Sequence, residues 1–348
     1  SRGLGYVYKR QSQTTQVSRL ADIENATFGG EGITPVISHR HKFLKVSVVI
    51  PTFKRENVLV DTISSLLSLE EASAEIIIVD QSQEHRKATI EQLKSWQDNE
   101  AIIWIKRDKP STTAAMNQGL ILAGHPLVLF VDDDIVAKPG LVSNHATMHE
   151  SDNNCWVTAG QVIQPWQKPE PLSTETTMTG LKKDFDFPFN STRHGWVTNV
   201  IGCNFCVNKE RAMAIGGFDE NYIGSAYRFE TDFAKRIIEA GGRIRFVPEA
   251  SIDHLRVKTG GTRSEGNHMT SASPLHGFGD YYYAFKHGNS GEAWKYSLQR
   301  FFREVRTRFH LTHPWWIPVK MLGEARAILM ARKSVKSGRK LIDQATAT

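Results

Sequence analysis

PLVLFVDDDI, residues 126–135, sets an unbroken apolar run directly against three consecutive aspartates. The apolar part has the length of a buried strand and falls far short of the roughly 18–20 residues that cross a membrane. A strand apolar on both faces belongs inside a parallel sheet covered by helices. The residues before it repeat the theme. VSVVI (46–50), stopped by Pro51, reads as a first buried strand, EIIIV (75–79) as a second and AIIWI (101–105) as a third. Between them Leu59, Ile63, Leu66 and Leu67, then Ile90, Leu93 and Trp96, then Ala115, Leu120 and Leu122 within 112–123, recur at helical spacing. Alternating strands and helices predict an α/β fold with a mostly parallel sheet flanked by helices. Right-handed crossovers bring the strand ends to one edge, where ligands bind.

That edge carries the chemistry. Asp132, Asp133 and Asp134 follow the fourth strand, and three adjacent carboxylates repel one another. Either they form a solvated turn or they share a divalent cation with oxygen ligands, and their place at the ligand edge favours the cation. Asp80 ends the second strand, where a carboxylate accepts from a nucleobase N–H or a ribose hydroxyl, or caps a turn. Glu230 and Asp232 open the helix expected over 228–242. They suit its positive end, and they suit a general base for a hydroxyl. His254 follows the short strand ASIDH (250–254) and is a hydrogen-bonded imidazole or a further metal ligand.

Elsewhere the pattern is weaker. After residue 140 it loosens, and 165–195, rich in Pro, Thr and charge, reads as a long loop. Order returns at VTNVIGCNFCV (197–207), and RIRFV (243–247) reads as a strand separate from 250–254. From about 280 the chain is helical and basic. Leu298, Phe301, Phe302, Val305 and Phe309 fall on one face, with Arg300, Arg303, Arg306 and Arg308 largely on the others. The net charge is +6, but residues 286–348 hold +9, leaving −3 for the rest. A basic tail on a near-neutral body points to an anionic partner: membrane lipid, anionic glycan or nucleic acid. No aromatic–basic RNA motif or zinc-finger spacing supports nucleic acid. Cys155, Cys203 and Cys206 cannot make a disulfide framework and fit a reducing cytosol. The lone C-x2-C at 203–206 suits small buried side chains better than zinc. Residues 1–44 read as a loosely ordered lead-in. Its first eleven residues, with VYKRQ at 7–11, resemble translated library-adapter sequence and are expected to be non-native.

Several segments match one family in order and spacing. VSVVIPTFKRENVL (46–59), IIIVDQS (76–82), TTAAMNQGL (112–120), LFVDDDI (129–135), GCNFCVNKERAMAIGGFDENY (202–222), FETDFAKRI (229–237), VPEASIDH (247–254) and KTGGTR (258–263) resemble the inverting family 2 nucleotide-sugar glycosyltransferases of GT-A fold. The resemblance implies a catalytic domain over 45–275, with a nucleotide-binding half (45–140) and an acceptor half (141–275), followed by a basic helical extension (276–348). It implies that a UDP-, GDP- or dTDP-sugar is held by Pro51, Thr52, Arg55, Asp80, Asn117, Asp132, Asp133 and Arg263. It further implies Mg2+ or Mn2+ on Asp134, Asp132 and His254, and Glu230 as catalytic base with Asp232 beside it. The acceptor would be a glycan or lipid-linked sugar in cell-surface polysaccharide synthesis. The enzyme would work in the cytoplasm. Apart from the resemblance, the Arg-rich faces beside Phe and Trp in 290–348 suit the anionic inner face of the plasma membrane, or the helices simply pack on the domain with their arginines in solvent.

Departures from the family pattern matter. Glu230 stands where Asp is common, Met116 where many members carry Arg, and Gln81 follows Asp80. A donor-phosphate contact is then expected from Arg55, Arg107 or Arg263. Two other classes remain: a sugar-nucleotide nucleotidyltransferase, whose Gly-rich first turn is absent from PTFKREN, and a non-catalytic glycan-binding scaffold of the same fold.

Overall fold

A computed structural model of the chain describes residues 44–70, 73–262 and 266–343. The lead-in expected at 1–44 therefore lies outside the described residues up to 43, as does Arg263.

The first half follows the alternating pattern. Its elements are β1 (Val46–Thr52), α1 (Asn57–Leu67), β2 (Glu75–Asp80), α2 (Lys87–Asp98), β3 (Ile103–Lys106), α3 (Thr112–Leu122) and β4 (Leu127–Val131). β2 and β4 flank β1, and β3 flanks β2, all parallel. Alternate residues of β1 serve opposite faces. Val49 joins one apolar layer, with Ile77 and Phe130, while Val48 and Ile50 join the other, with Leu59 and Ile63 of α1. Ser111 caps α3 by accepting from the Ala114 N–H. Gly119 lets α3 lie against β1, since a Cβ there would meet Val49 Cγ1 at 2.3 Å.

The second half continues with β5 (Ile135–Ala137), α4 (Leu141–Ser151), β6 (Cys155–Ile163), β7 (Gly195–Val197), β8 (Asn204–Asn208), α5 (Lys209–Ala214), α6 (Phe229–Glu239) and β9 (Arg243–His254). The sheet order is β3-β2-β1-β4-β8-β6-β9-β5, with β7 also on β9. β8 runs antiparallel between β4 and β6, so the sheet is mixed, and its first four strands are parallel. Two elements escape the sequence pattern. α4 buries His145 and His149 on the face where a reader expects apolar residues. His145 bonds Thr158 at 2.7 Å and Asn204 at 3.0 Å, and His149 bonds the Cys155 and Cys206 carbonyls. β6 then follows directly. The two strands expected at 243–247 and 250–254 are one. β9 runs through Pro248, whose missing N–H falls where the pairing with β6 skips from Val247 to Ser251. All three cysteines are buried and free.

The C-terminal helices are α7 (Leu275–His287), α8 (Ser290–Val305), α9 (Arg308–Thr312) and α10 (Ile317–Ser337). They share a core with the sheet: Phe278, Tyr281 and Tyr282 of α7 and Ala327 and Ala331 of α10 pack in the same layer as Val49 and Phe130. α8 departs from the sequence expectation at three positions, while Val305 is buried and Arg303 exposed as expected. Arg300 is buried at 5% exposure, held by Asp280 and Glu324, whereas Leu298 and Phe302 are 51% and 46% exposed. Among the described residues, no helix is long and apolar enough to cross a membrane.

Candidate active site

A parallel sheet opens a crevice where neighbouring strands leave for opposite sides. Here that point lies between β1 and β4, and a cleft of about 390 Å3 opens at their carboxyl ends. Thr52, Arg55 and Gln81 line it from the first half, and Asp132, Asp133 and Asp134 from the end of β4. Gln164, Tyr227, Glu230, His254 and Arg256 line it from the second half. A larger hollow of about 690 Å3 sits at the opposite, amino ends of β2 and β3, away from the acidic cluster.

The three aspartates take three environments. Asp132 is partly exposed and reaches His254 Nε2 at 3.6 Å. Asp133 points inward, accepting from the Thr52 hydroxyl at 2.7 Å and Arg55 Nε at 3.1 Å. Burial pushes its carboxyl up to about 7, against the pull of Arg55. Asp134 is 1% exposed and meets His254 Nε2 at 3.1 Å, Arg55 Nη2 at 3.2 Å and the Val257 N–H at 2.9 Å. Burial pushes Asp134 up, yet the contacts with His254 and Arg55 hold it below the usual carboxylate value. Arg55 also donates to the Val257 and Thr259 carbonyls and so ties the loop after β9 to the aspartates.

Oxygens of Asp132 and Asp134 and a ring nitrogen of His254 lie within 4.8 Å of one another. His254 Nδ1 faces Gln164 Oε1 at 3.2 Å. A ring N–H on Nδ1 donated there would free Nε2, which otherwise donates to Asp134, to ligate a cation between the two carboxylates. Such a donor set needs positive charge at its centre. One imidazole and two carboxylates suit a divalent cation such as Mn2+ or Mg2+, so these residues fit the metal.

Glu230 sits in the first turn of α6 and faces the cleft. Burial pushes its carboxyl up to about 7, opposed by the nearby Arg228 charge. Asp232, two residues on, points elsewhere. It is 0% exposed and bonds Arg236 Nε at 2.9 Å, His287 Nε2 at 2.7 Å and Lys286 Nζ at 2.6 Å. Residues two apart on a helix do not share a face, and Asp232 fastens α7 to α6 outside the cleft lining.

Two donor-binding expectations also land outside that lining. Asp80 is fully buried and bonds His85 at 2.8 Å, Lys106 at 2.9 Å, Trp104 Nε1 at 3.1 Å and the Ser82 N–H at 2.8 Å. Burial raises it, but these donors hold it well below the usual carboxylate range. Asn117 takes the Phe218 N–H at 2.8 Å and donates to the Phe218 carbonyl at 2.9 Å, joining α3 to the segment after α5. Of the expected site residues, the cleft gathers Pro51, Thr52, Arg55, Asp132, Asp133, Asp134, Glu230 and His254. Sequence reasoning missed Gln164 and Tyr227. Gln164 follows β6 at the same sheet edge, a signal legible only once β6 itself is read.

The family description "Glycosyl transferase family 2" matches residues 47–213. The chain is similar to the GalNAc(5)-diNAcBac-PP-undecaprenol beta-1,3-glucosyltransferase of Campylobacter jejuni, at 26% identity over 52% of this chain and 57% of that one. It is also similar to the uncharacterized glycosyltransferase YfnE of Bacillus subtilis, at 28% identity over 32% of this chain and 28% of that one. It thus spans under two thirds of the length of these curated relatives. In fold it resembles the mannosyltransferase PcManGT from Pyrobaculum calidifontis, solved with GDP-Man and Mn2+ (TM-score 0.50, 16% identity, 84% of this chain and 76% of that one). It likewise resembles GalNAc-T7, solved with UDP, GalNAc and Mn2+ (TM-score 0.51, 15% identity, 78% and 58%). A mixed sheet opening on an acidic cleft, the matched family segment and the related glycosyltransferases agree: residues 47–213 form a glycosyl transferase family 2 domain, and the protein is a glycosyltransferase.

Proposed function

We propose that this glycosyltransferase moves a sugar from a nucleotide diphosphate to an acceptor hydroxyl with inversion at the anomeric carbon. The observation that carries this reading is one cleft lined by both the Asp132–Asp134–His254 cluster and Glu230. Nucleotide sugars are supported by the neighbours solved with UDP and GDP-Man, and a lipid-linked acceptor by the printed name of the Campylobacter relative.

The donor nucleoside lies over the ends of β1 and β2, where Thr52 and Gln81 line the cleft. Asp80 serves that end by fixing the turn at 80–82. Arg55 and Arg256 bring positive charge to the diphosphate side. Asp132, Asp134 and His254 would hold Mg2+ or Mn2+, which when bound would supply positive charge opposite the departing diphosphate. Glu230 takes the acceptor hydroxyl proton as that oxygen bonds the anomeric carbon. The bond from that carbon to the diphosphate oxygen breaks on the opposite side. A carboxyl raised to about 7 is matched to that task, because its conjugate base is a stronger proton acceptor.

A panel of nucleotide sugars, offered with glycan and polyprenyl-diphosphate-linked acceptors, tests the reading. One donor should turn over, stop with EDTA, resume with Mn2+ or Mg2+, and give the inverted anomer by NMR. Full turnover in EDTA would remove the metal, and a retained anomer would remove the single displacement.

The acceptor class is joined to a surface. Of the thirteen Lys and Arg in 286–348, ten are exposed, beside Leu298, Phe302, Trp315, Leu322 and Leu329. Basic side chains around exposed Trp, Phe and Leu suit the headgroup layer of an anionic membrane. The full chain should float with phosphatidylglycerol vesicles but not with neutral phosphatidylcholine. The double substitution Leu298→Glu with Phe302→Glu should abolish flotation with only a small drop in melting temperature, since both side chains are about half exposed. Equal flotation of the double variant would rule this face out.

A further inference from the structure

The helix bearing Glu230 begins in an unusual way. A helix start normally holds itself through an extended Ser, Thr, Asp or Asn whose side chain caps a backbone N–H. At α6 the cap position is Arg228, in the left-handed region at φ 76°, with no side-chain cap bond. Ala226, two residues earlier, is also left-handed at φ 51°. Residues with a Cβ are strained in that conformation, so something outside the turn must hold it.

What holds it is α7. The Arg228 Nε donates to Asp280 Oδ1 at 2.9 Å, and its guanidinium packs 3.7 Å from the Phe185 ring centroid and 4.5 Å from that of Tyr227. Beside Asp280, Gly279 lies against the same turn, where an added Cβ would sit 2.0 Å from the Tyr227 carbonyl oxygen. Asp280 is 3% exposed and does not depend on Arg228 alone. It also accepts from Arg300 Nε of α8 at 2.8 Å and the Tyr296 hydroxyl at 3.1 Å. Arg300 reaches Glu324 of α10, which pairs with Lys320 at 2.8 Å. A buried ionic chain therefore runs from α10 through α8 and α7 to the turn that aims Glu230. Every residue in it lies beyond the 47–213 family match. A fully partnered buried network is stiff, because releasing one member strands a charge.

We propose that Arg228 and Asp280 are positioning residues for Glu230, so that the C-terminal helices complete the catalytic site. This rests on Glu230 being the base. Neither residue is assigned contact with the reacting atoms. They fix the first turn of α6, and through it the carboxylate's reach to the acceptor hydroxyl.

Two variants separate positioning from simple stability. Asp280→Asn keeps shape but loses the charge that grips Arg228. Arg228→Gln leaves Asp280 paired with Arg300, so it spares the α7–α8 contact and covers the case in which Asp280→Asn does not fold. In either folded variant kcat for transfer should fall about 10- to 100-fold, as expected when a reacting group is displaced by about 1 Å. Donor KM, and metal-dependent donor affinity by calorimetry, should stay within about twofold, since the aspartate cluster is untouched. Arg228→Lys, which keeps the charge on a flexible stem, should recover part of the loss. If kcat in folded Asp280→Asn or Arg228→Gln stays within twofold of the parent while Glu230→Gln is inactive, the positioning role is wrong. Loss of donor affinity in parallel with kcat would equally reduce the pair to a fold support. Full activity of Glu230→Gln would instead strike the base assignment on which the proposal stands.

Discussion

Glu230→Gln is expected to lower kcat by about 100- to 10,000-fold, the range in which general-base catalysis contributes. The amide fills the same space at the first turn of α6 but accepts no proton. Donor binding is carried by other residues, so metal-dependent affinity for the nucleotide sugar should hold in calorimetry while transfer collapses. The parent enzyme supplies a second signature. Burial holds Glu230 up to about 7, and a base works only when deprotonated. In free enzyme kcat/KM should therefore fall as pH drops through about 7, and that limb should vanish in the residual activity of Glu230→Gln. An acid limb nearer 4.5, or an amide variant as fast as the parent, would move the base elsewhere.

Asp134→Ala should remove metal-dependent donor binding, with a loss of at least about 100-fold in affinity, beyond that seen when only an outer-shell partner is changed. Asp134 contributes the least exposed oxygens of the cluster, and the Arg55 contact and the Val257 N–H fix their direction. Removing it leaves Asp132 and His254 as an incomplete donor set beside a partly unpaired guanidinium. Asp134→Asn tests the charge with little change in shape and should lose nearly as much. Titration of Mn2+ and donor into each variant checks this. Binding equal to the parent would show that the cation, or the diphosphate, sits elsewhere.

The parallel half of the fold was legible because burial on both faces leaves a mark in sequence: four apolar runs with helical spacing between them. The aspartates were legible by position at the end of such a run. The other half hides its core. α4 presents His145 and His149 inward, satisfied by Thr158, Asn204 and two carbonyls, and hydrogen bonding between buried polar groups has no periodic signature. α8 misleads in the opposite sense, since Arg300 finds Asp280 and Glu324 inside while Leu298 faces out. Partners on other elements, up to 59 residues away, decide both cases. Asp80, Asn117 and Asp232 were singled out by motif, but motif does not tell which way a side chain turns. Each is saturated by neighbours in the fold: Asp80 by His85 and Lys106, Asn117 by Phe218, Asp232 by Arg236 and His287.

The short strand β5 has β9 as its sheet partner, and the register sets Ile135 opposite His254. The loop of three aspartates is thus strung between β4, which is complete by residue 131, and a strand anchored by residues synthesised more than a hundred positions later. A ribosome-bound chain that has emerged only through β8 would own β1 to β4 and the aspartates, but not the His254 imidazole or the pairing of β5 with β9. Domains consolidate as they emerge. On the proposed mechanism, a chain without β9 would lack both His254 and the strand pairing that holds the end of the aspartate loop.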